Sequence, residues 1–139
     1  MIMKYAKLKI YTDGGARGNP GPAACGAVIM DYQGKIISQH SKYLGETTNN
    51  QAEYAGVLLG LEEAKKLGAA EINFYLDSEL VVNQLNRNFK VKDLAIQTVF
   101  VKIWNLGVGF KKVKYHHIPR EENKEADKLV NVELDRLKN

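Results

Sequence analysis

Apolar and polar positions alternate with period two over residues 7–13 (KLKIYTD), the pattern of a strand with one buried face. The segment GGARGNPGP that follows is dense in turn formers. Residues 23–31 (AACGAVIMD) read as a buried strand, Tyr32 to Lys35 as a hairpin turn, and 36–44 (IISQHSKYL) as a third strand. From Thr48 to Leu67 the period changes: Tyr54, Val57, Leu58, Leu61, Ala64 and Leu67 recur at helical spacing, and Gly68 stands where a helix ends. A strand over 71–76 (EINFYL), a short helix over 78–86 and a helix over 93–106 are next, joined by the basic linker RNFKVKD. A fifth strand over 110–118 and a helix over 121–137 complete the order βββαβααβα. The helical crossover makes the fourth strand parallel to the first, and right-handed connections put helices on both faces. Nothing divides residues 1–139 into more than one domain.

Four acids break this pattern. Asp13 closes the first apolar strand, and Asp77 closes INFYL. Glu53 is in line with Val57, Leu61 and Ala64, and Asp127 with Val130 and Leu134, so both lie on inward stripes. Each has an ordinary reading. Asp13-Gly14 is a hairpin signal, Glu53 can close a capping box with Asn50, Asp77 can cap the helix at Ser78, and Asp127 can pair with Lys124. Taken together, they favour another reading. The carboxyl ends of parallel strands are where α/β sheets bind ligands, and four acids meeting there are costly to ionise without cations. An all-oxygen donor set suits Mg²⁺ or Mn²⁺ rather than zinc. Two such ions can activate a water and stabilise a leaving oxygen in phosphoryl displacement.

Composition narrows the picture further. No apolar run reaches the length of a membrane span, and MIMKYAKLKIY has no signal-peptide character, so no membrane partner is expected. The single cysteine, Cys25, lies in an apolar run, reads as a core residue and suits a reducing, cytoplasmic setting. A net charge of +4 permits an anionic partner.

YTDGGARGNPGPAACGAVI, TTNNQAEYAGVLLGL, LDSELVVNQL and HIPREENKEADKLVN resemble the four signature blocks of the type 1 ribonuclease H family, in that family's order and over nearly the whole chain. The resemblance implies a ribonuclease H-like α/β fold with a five-stranded mixed sheet in the order 3-2-1-4-5. It also implies endonucleolytic hydrolysis of the RNA strand of RNA–DNA hybrids with two Mg²⁺ ions, leaving 5′-phosphate and 3′-hydroxyl ends. Asp13, Glu53, Asp77 and Asp127 match the family's catalytic, metal-binding acids. Asn19, Thr48, Asn49, Asn50 and Gln51 fall where the family contacts the hybrid backbone, and Gly14 and Gly15 where main chain approaches the RNA. The bland alternative is that TTNNQ caps a helix and GNPG turns a hairpin; both can hold at once. A monomer is expected, with double-stranded RNA as a further candidate substrate.

The chain departs from the family pattern in two places. NRNFKVKD (86–93) stands where many bacterial members carry a Trp- and Lys-rich handle, leaving Arg87, Lys90 and Lys92 as basic residues there. Hybrid affinity is therefore expected to be modest and salt-dependent. His117, ten residues before Asp127, has the spacing of the family's mobile histidine but falls at the end of the fifth strand. Arg120 follows in the loop; it cannot shuttle protons and would act electrostatically. The reading favours Arg120 as the auxiliary catalytic group, with His117 second. A proofreading exonuclease fits poorly, because Gly15 stands where that class places a glutamate. The competing function from another class is a catalytically weak nucleic-acid-binding module on the same fold.

Overall fold

The computed structural model describes residues 5–136. Strands β1 (Lys7–Ala16), β2 (Gly21–Met30) and β3 (Ile36–Thr47) form an antiparallel meander. Helix α1 (Asn49–Lys66) crosses over to β4 (Glu71–Leu76), which pairs parallel with β1. Helices α2 (Glu79–Leu85) and α3 (Leu94–Gly107) lead to β5 (Lys112–His117), parallel to β4. A 3₁₀ turn, Arg120–Glu122, precedes α4 (Lys124–Asp135). The sheet order is β3-β2-β1-β4-β5, as the sequence resemblance implies.

Each strand's pattern explains which face it buries. Leu8 and Ile10 of β1 and Ile72, Phe74 and Leu76 of β4 are buried on one side of the sheet, against Val57, Leu61 and Ala64 of α1. Helix α4 covers the other side, where Val130 and Leu134 pack with Ala24. Strand β2 lies between the two layers, so Ala23 to Ile29 are all buried and the segment reads as a continuous apolar run. Contact is close there: a Cβ on Gly26 would lie 2.8 Å from Leu129 Cβ and 3.2 Å from the Ala126 carbonyl oxygen. Cys25 belongs to this sandwich, and burial pushes its thiol up to about 12, so it is an inert core residue.

Boundaries differ most from the sequence reading in three places, each with a local cause. Strand β1 continues through Asp13-Gly14 to Ala16, because Asp13 pairs with Gly26 and Gly14 with Cys25; the turn is displaced to Arg17–Pro20, where the Asn19–Pro20 peptide is cis. Strand β3 runs on to Thr47, paired with Gly21. The last helix begins at Lys124 rather than 121, since Arg120 to Glu122 wind as 3₁₀ after Pro119; residue 137 lies outside the described residues. The Tyr32–Lys35 turn forms as expected, with Gly34 at φ 88° and the Asp31 carboxylate accepting from the amides of Gln33 and Lys35. Residues 86–93 join α2 to α3 without a helix.

Candidate active site

The ordinary roles open to the four acids are filled by other residues or not filled at all. Asp13 and Gly14 lie inside a strand, not a turn. Thr48 caps α1, its hydroxyl accepting from Gln51 N at 3.2 Å, which leaves Glu53 without a capping duty. Ser78 caps α2, accepting from Val81 N at 3.3 Å, so Asp77 is not the cap. No ion pair joins Asp127 to Lys124 among the described residues; Asp127 accepts a long contact of 3.4 Å from Asn131 Nδ2.

Released from those roles, Asp13, Glu53 and Asp77 each offer an oxygen within 4.8 Å of the others. Asp127, from the first turn of α4, lines the same cavity without joining this closest group. The cavity has a volume of about 490 Å³, and its walls include Gly14, Gly15, Asn49, Asn50, Ser78, Arg120 and Asn131. Close packing of α1 on β1 produces the convergence. A Cβ on Gly14 would fall 2.1 Å from the Ala52 carbonyl, and one on Gly56 2.8 Å from the Asp13 carbonyl oxygen. The Gly14 amide then donates to both Glu53 Oε1 (2.6 Å) and Asp13 Oδ1 (2.9 Å).

Burial dominates the electrostatics. Asp13 is 8% exposed and Glu53 6%. Desolvation pushes the Asp13 carboxyl up to about 6; a hydrogen bond from Glu53 opposes this, and the charge of Asp77 adds to it. Glu53 lies well above the usual carboxylate range, first from burial and then from the Asp13 side chain and the charges around it. Its Oε2 is buried with no hydrogen-bonding partner among the described residues. A buried acceptor left open beside two more carboxylates is a fit for a small hard cation, and the donor set is all oxygen.

The other expected site residues divide into groups. Asn19 Oδ1 accepts from Asn49 N at 3.0 Å, and Asn49 Oδ1 from Ala16 N at 2.8 Å, so these carbonyls brace the loop and helix start while their amide NH₂ groups make no hydrogen bond among the described residues. Gln51 Oε1 accepts from the Thr47 hydroxyl, and Thr48 is the cap. Asn50 is exposed on the cavity wall. Arg120 is at the rim of the cavity, whereas His117 ends β5, exposed and outside the cavity's walls. His116 is tied elsewhere, with Nε2 2.7 Å from Asn73 Oδ1 and its ring stacked on Tyr75.

Sequence reasoning passed over Asn123. It is 1% exposed, and its Nδ2 donates to the Thr12 carbonyl (2.9 Å) and to Asp77 Oδ2 (3.1 Å). Its only sequence signal is an amide four residues before Asp127 in the run REENKEAD, where every other residue except Ala126 is charged.

Fold and site together define an α/β domain with an oxygen-only acidic centre at the carboxyl ends of its central parallel strands. Residues 11–132 match the family model described as reverse transcriptase-like. The chain is 42% identical over 130 residues to the bifunctional protein Rv2228c of Mycobacterium tuberculosis, covering 93% of this chain and 36% of that protein. It thus spans about a third of that relative's length. The crystal structure of RNase H1 from Halobacterium salinarum is 38% identical with a TM-score of 0.91, covering 94% of this chain and 98% of that one. LC11-RNase H1, solved in complex with an RNA/DNA hybrid, is 42% identical with a TM-score of 0.90, covering 95% and 99%. The chain belongs to the ribonuclease H family.

Proposed function

We propose that this protein is an endonuclease that hydrolyses the RNA strand of RNA–DNA hybrids, giving 5′-phosphate and 3′-hydroxyl ends. The observation that carries this reading is the meeting of Asp13, Glu53 and Asp77 around the open Glu53 Oε2, with Asp127 on the same cavity wall. These four acids would hold two Mg²⁺ ions, with Mn²⁺ as a substitute. When bound, such a pair supplies activation of a water and neutralisation of charge on the leaving 3′-oxygen.

The chain's own groups position the substrate. The Gly14 amide fixes the orientation of Asp13 and Glu53 by donating to one oxygen of each. The exposed NH₂ groups of Asn19, Asn49 and Asn50 are donors suited to phosphate and 2′-hydroxyl oxygens, and the 2′-hydroxyl is what separates RNA from DNA. Arg120, fixed in charge, attracts the scissile phosphate to the cavity rim. A monomer in a reducing, cytoplasmic compartment is part of the same proposal, supported by a lone buried cysteine.

The test is incubation of the pure protein and Mg²⁺ with end-labelled RNA–DNA hybrid, beside RNA alone, DNA duplex and double-stranded RNA. Cleavage confined to the RNA of the hybrid is expected, with any cut in double-stranded RNA much slower. Binding of the hybrid without cleavage would show a binding module instead.

A further inference from the structure

We infer that Asn123 is a positioning residue that sets the metal-binding geometry by tying together three elements that carry acids. Its Nδ2 donates to the carbonyl of Thr12, the residue before Asp13, and to Oδ2 of Asp77. Its own carbonyl accepts from the backbone N–H of Asp127 at 3.1 Å, the first helical bond of the turn that carries that acid. One side chain and its main chain therefore link β1, the end of β4 and the start of α4. The inference rests on the metal-site reading above.

Three features argue that the amide is held for this task. Asn123 occupies the N-cap position of α4, where an asparagine normally turns its side chain back onto the helix amides. Here it makes no such cap bond and forgoes the helix stabilisation a cap supplies. Both partners of Nδ2 are pure acceptors, a carbonyl and a carboxylate, so only a donor group serves there. Meanwhile Oδ1 is buried with no partner among the described residues, a desolvation cost the site bears to keep the two donors in place. An aspartate has nearly the same shape and is an equally good helix cap, but at neutral pH it only accepts. It would repel Asp77 and leave the Thr12 carbonyl unpaired.

The discriminating experiment compares wild type, Asn123→Asp and Asn123→Ser at pH 8. Mn²⁺ binding is followed by electron paramagnetic resonance without substrate, beside thermal melts and hybrid-cleavage kinetics. Asn123→Asp is expected to bind Mn²⁺ roughly 10- to 100-fold more weakly, the scale seen when a ligand-orienting neighbour is lost. Its kcat should fall at saturating hybrid with KM little changed, and Asn123→Ser, with one hydroxyl donor, should fall between. A merely structural role would lower the melting temperature and leave the Mn²⁺ affinity of the folded protein unchanged. If Asn123→Asp binds Mn²⁺ within threefold of wild type, the inference is wrong while the metal site stands. Wild-type protein that binds no Mn²⁺ overturns both. Should Asn123→Asp melt as an unfolded chain, Asn123→Ser decides alone: wild-type Mn²⁺ affinity refutes the role, and weaker binding supports it.

Discussion

Asp13 and Glu53 share one backbone donor and are buried side by side, so the metal-free site retains protons that ordinary carboxylates would release. The sign of the resulting pH dependence follows directly. The folded Asp13 carboxyl titrates at about 6 against 3.8 for an unperturbed one, so the native state binds the extra proton between those values. Its penalty is absent below about pH 4, grows through pH 6 and is constant above. Glu53 acts in the same direction. Urea melts in EDTA should therefore show stability falling from pH 4 to pH 7, and Mg²⁺ should raise the melting temperature more at pH 8 than at pH 5. Asp13→Asn should flatten that decline and stabilise the metal-free protein at pH 8 by about 1–3 kcal/mol. It should also lower cleavage by more than the roughly 100-fold expected for an orienting neighbour. The auxiliary group is tested at the same scale. Because Arg120 lines the cavity and His117 does not, Arg120→Ala should reduce kcat roughly 10- to 100-fold while His117→Ala leaves it near wild type. Unchanged kcat in both variants would reject both assignments.

Helices α1 and α4 deliver two of the acids, Glu53 and Asp127, and how closely they dock on the sheet decides where those two stand. Helix α1 brings Glu53 to Asp13 because Gly14 and Gly56 let its first two turns lie on β1 without an intervening Cβ. Gly14→Ala would drive a methyl into the Ala52 carbonyl and is expected to cost at least about 3 kcal/mol and to push Glu53 off the site. Gly15→Ala is the control: its nearest neighbour would be a Val130 methyl at 3.8 Å, an ordinary contact. Chemical denaturation should separate the two variants by several-fold in their effect on stability. Equal effects would show that the close approach of α1 is not what places Glu53. Helix α4 has a different constraint. It must lie flat on β2 over Gly26, and the 3₁₀ turn at Arg120–Glu122 aligns it after β5.

For the molecule as a whole, the lack of a helix between α2 and α3 leaves the basic grip on a polyanion to scattered residues. Arg87 is stacked over Trp104 at 4.8 Å, while Lys90 and Lys92 are exposed. With few phosphate contacts available, hybrid affinity should fall with salt on a log–log slope of about −2 to −4, measurable by anisotropy in EDTA. A slope near zero would mean that electrostatics does not hold the substrate. The sequence by itself determined the element order, the parallel pairing and the face each strand buries, because these follow from period-two and helical repeats that are local. It also marked the four acids, since a carboxylate on an apolar stripe or strand end breaks such a repeat. Only the tertiary structure decided that Thr48 and Ser78 take the caps, that β1 continues past Asp13, and that Arg120 rather than His117 lines the cavity. The part played by Asn123 was equally hidden. An asparagine before a helix reads as a cap, and only the approach of residues 46 and 111 positions away gives its amide other partners.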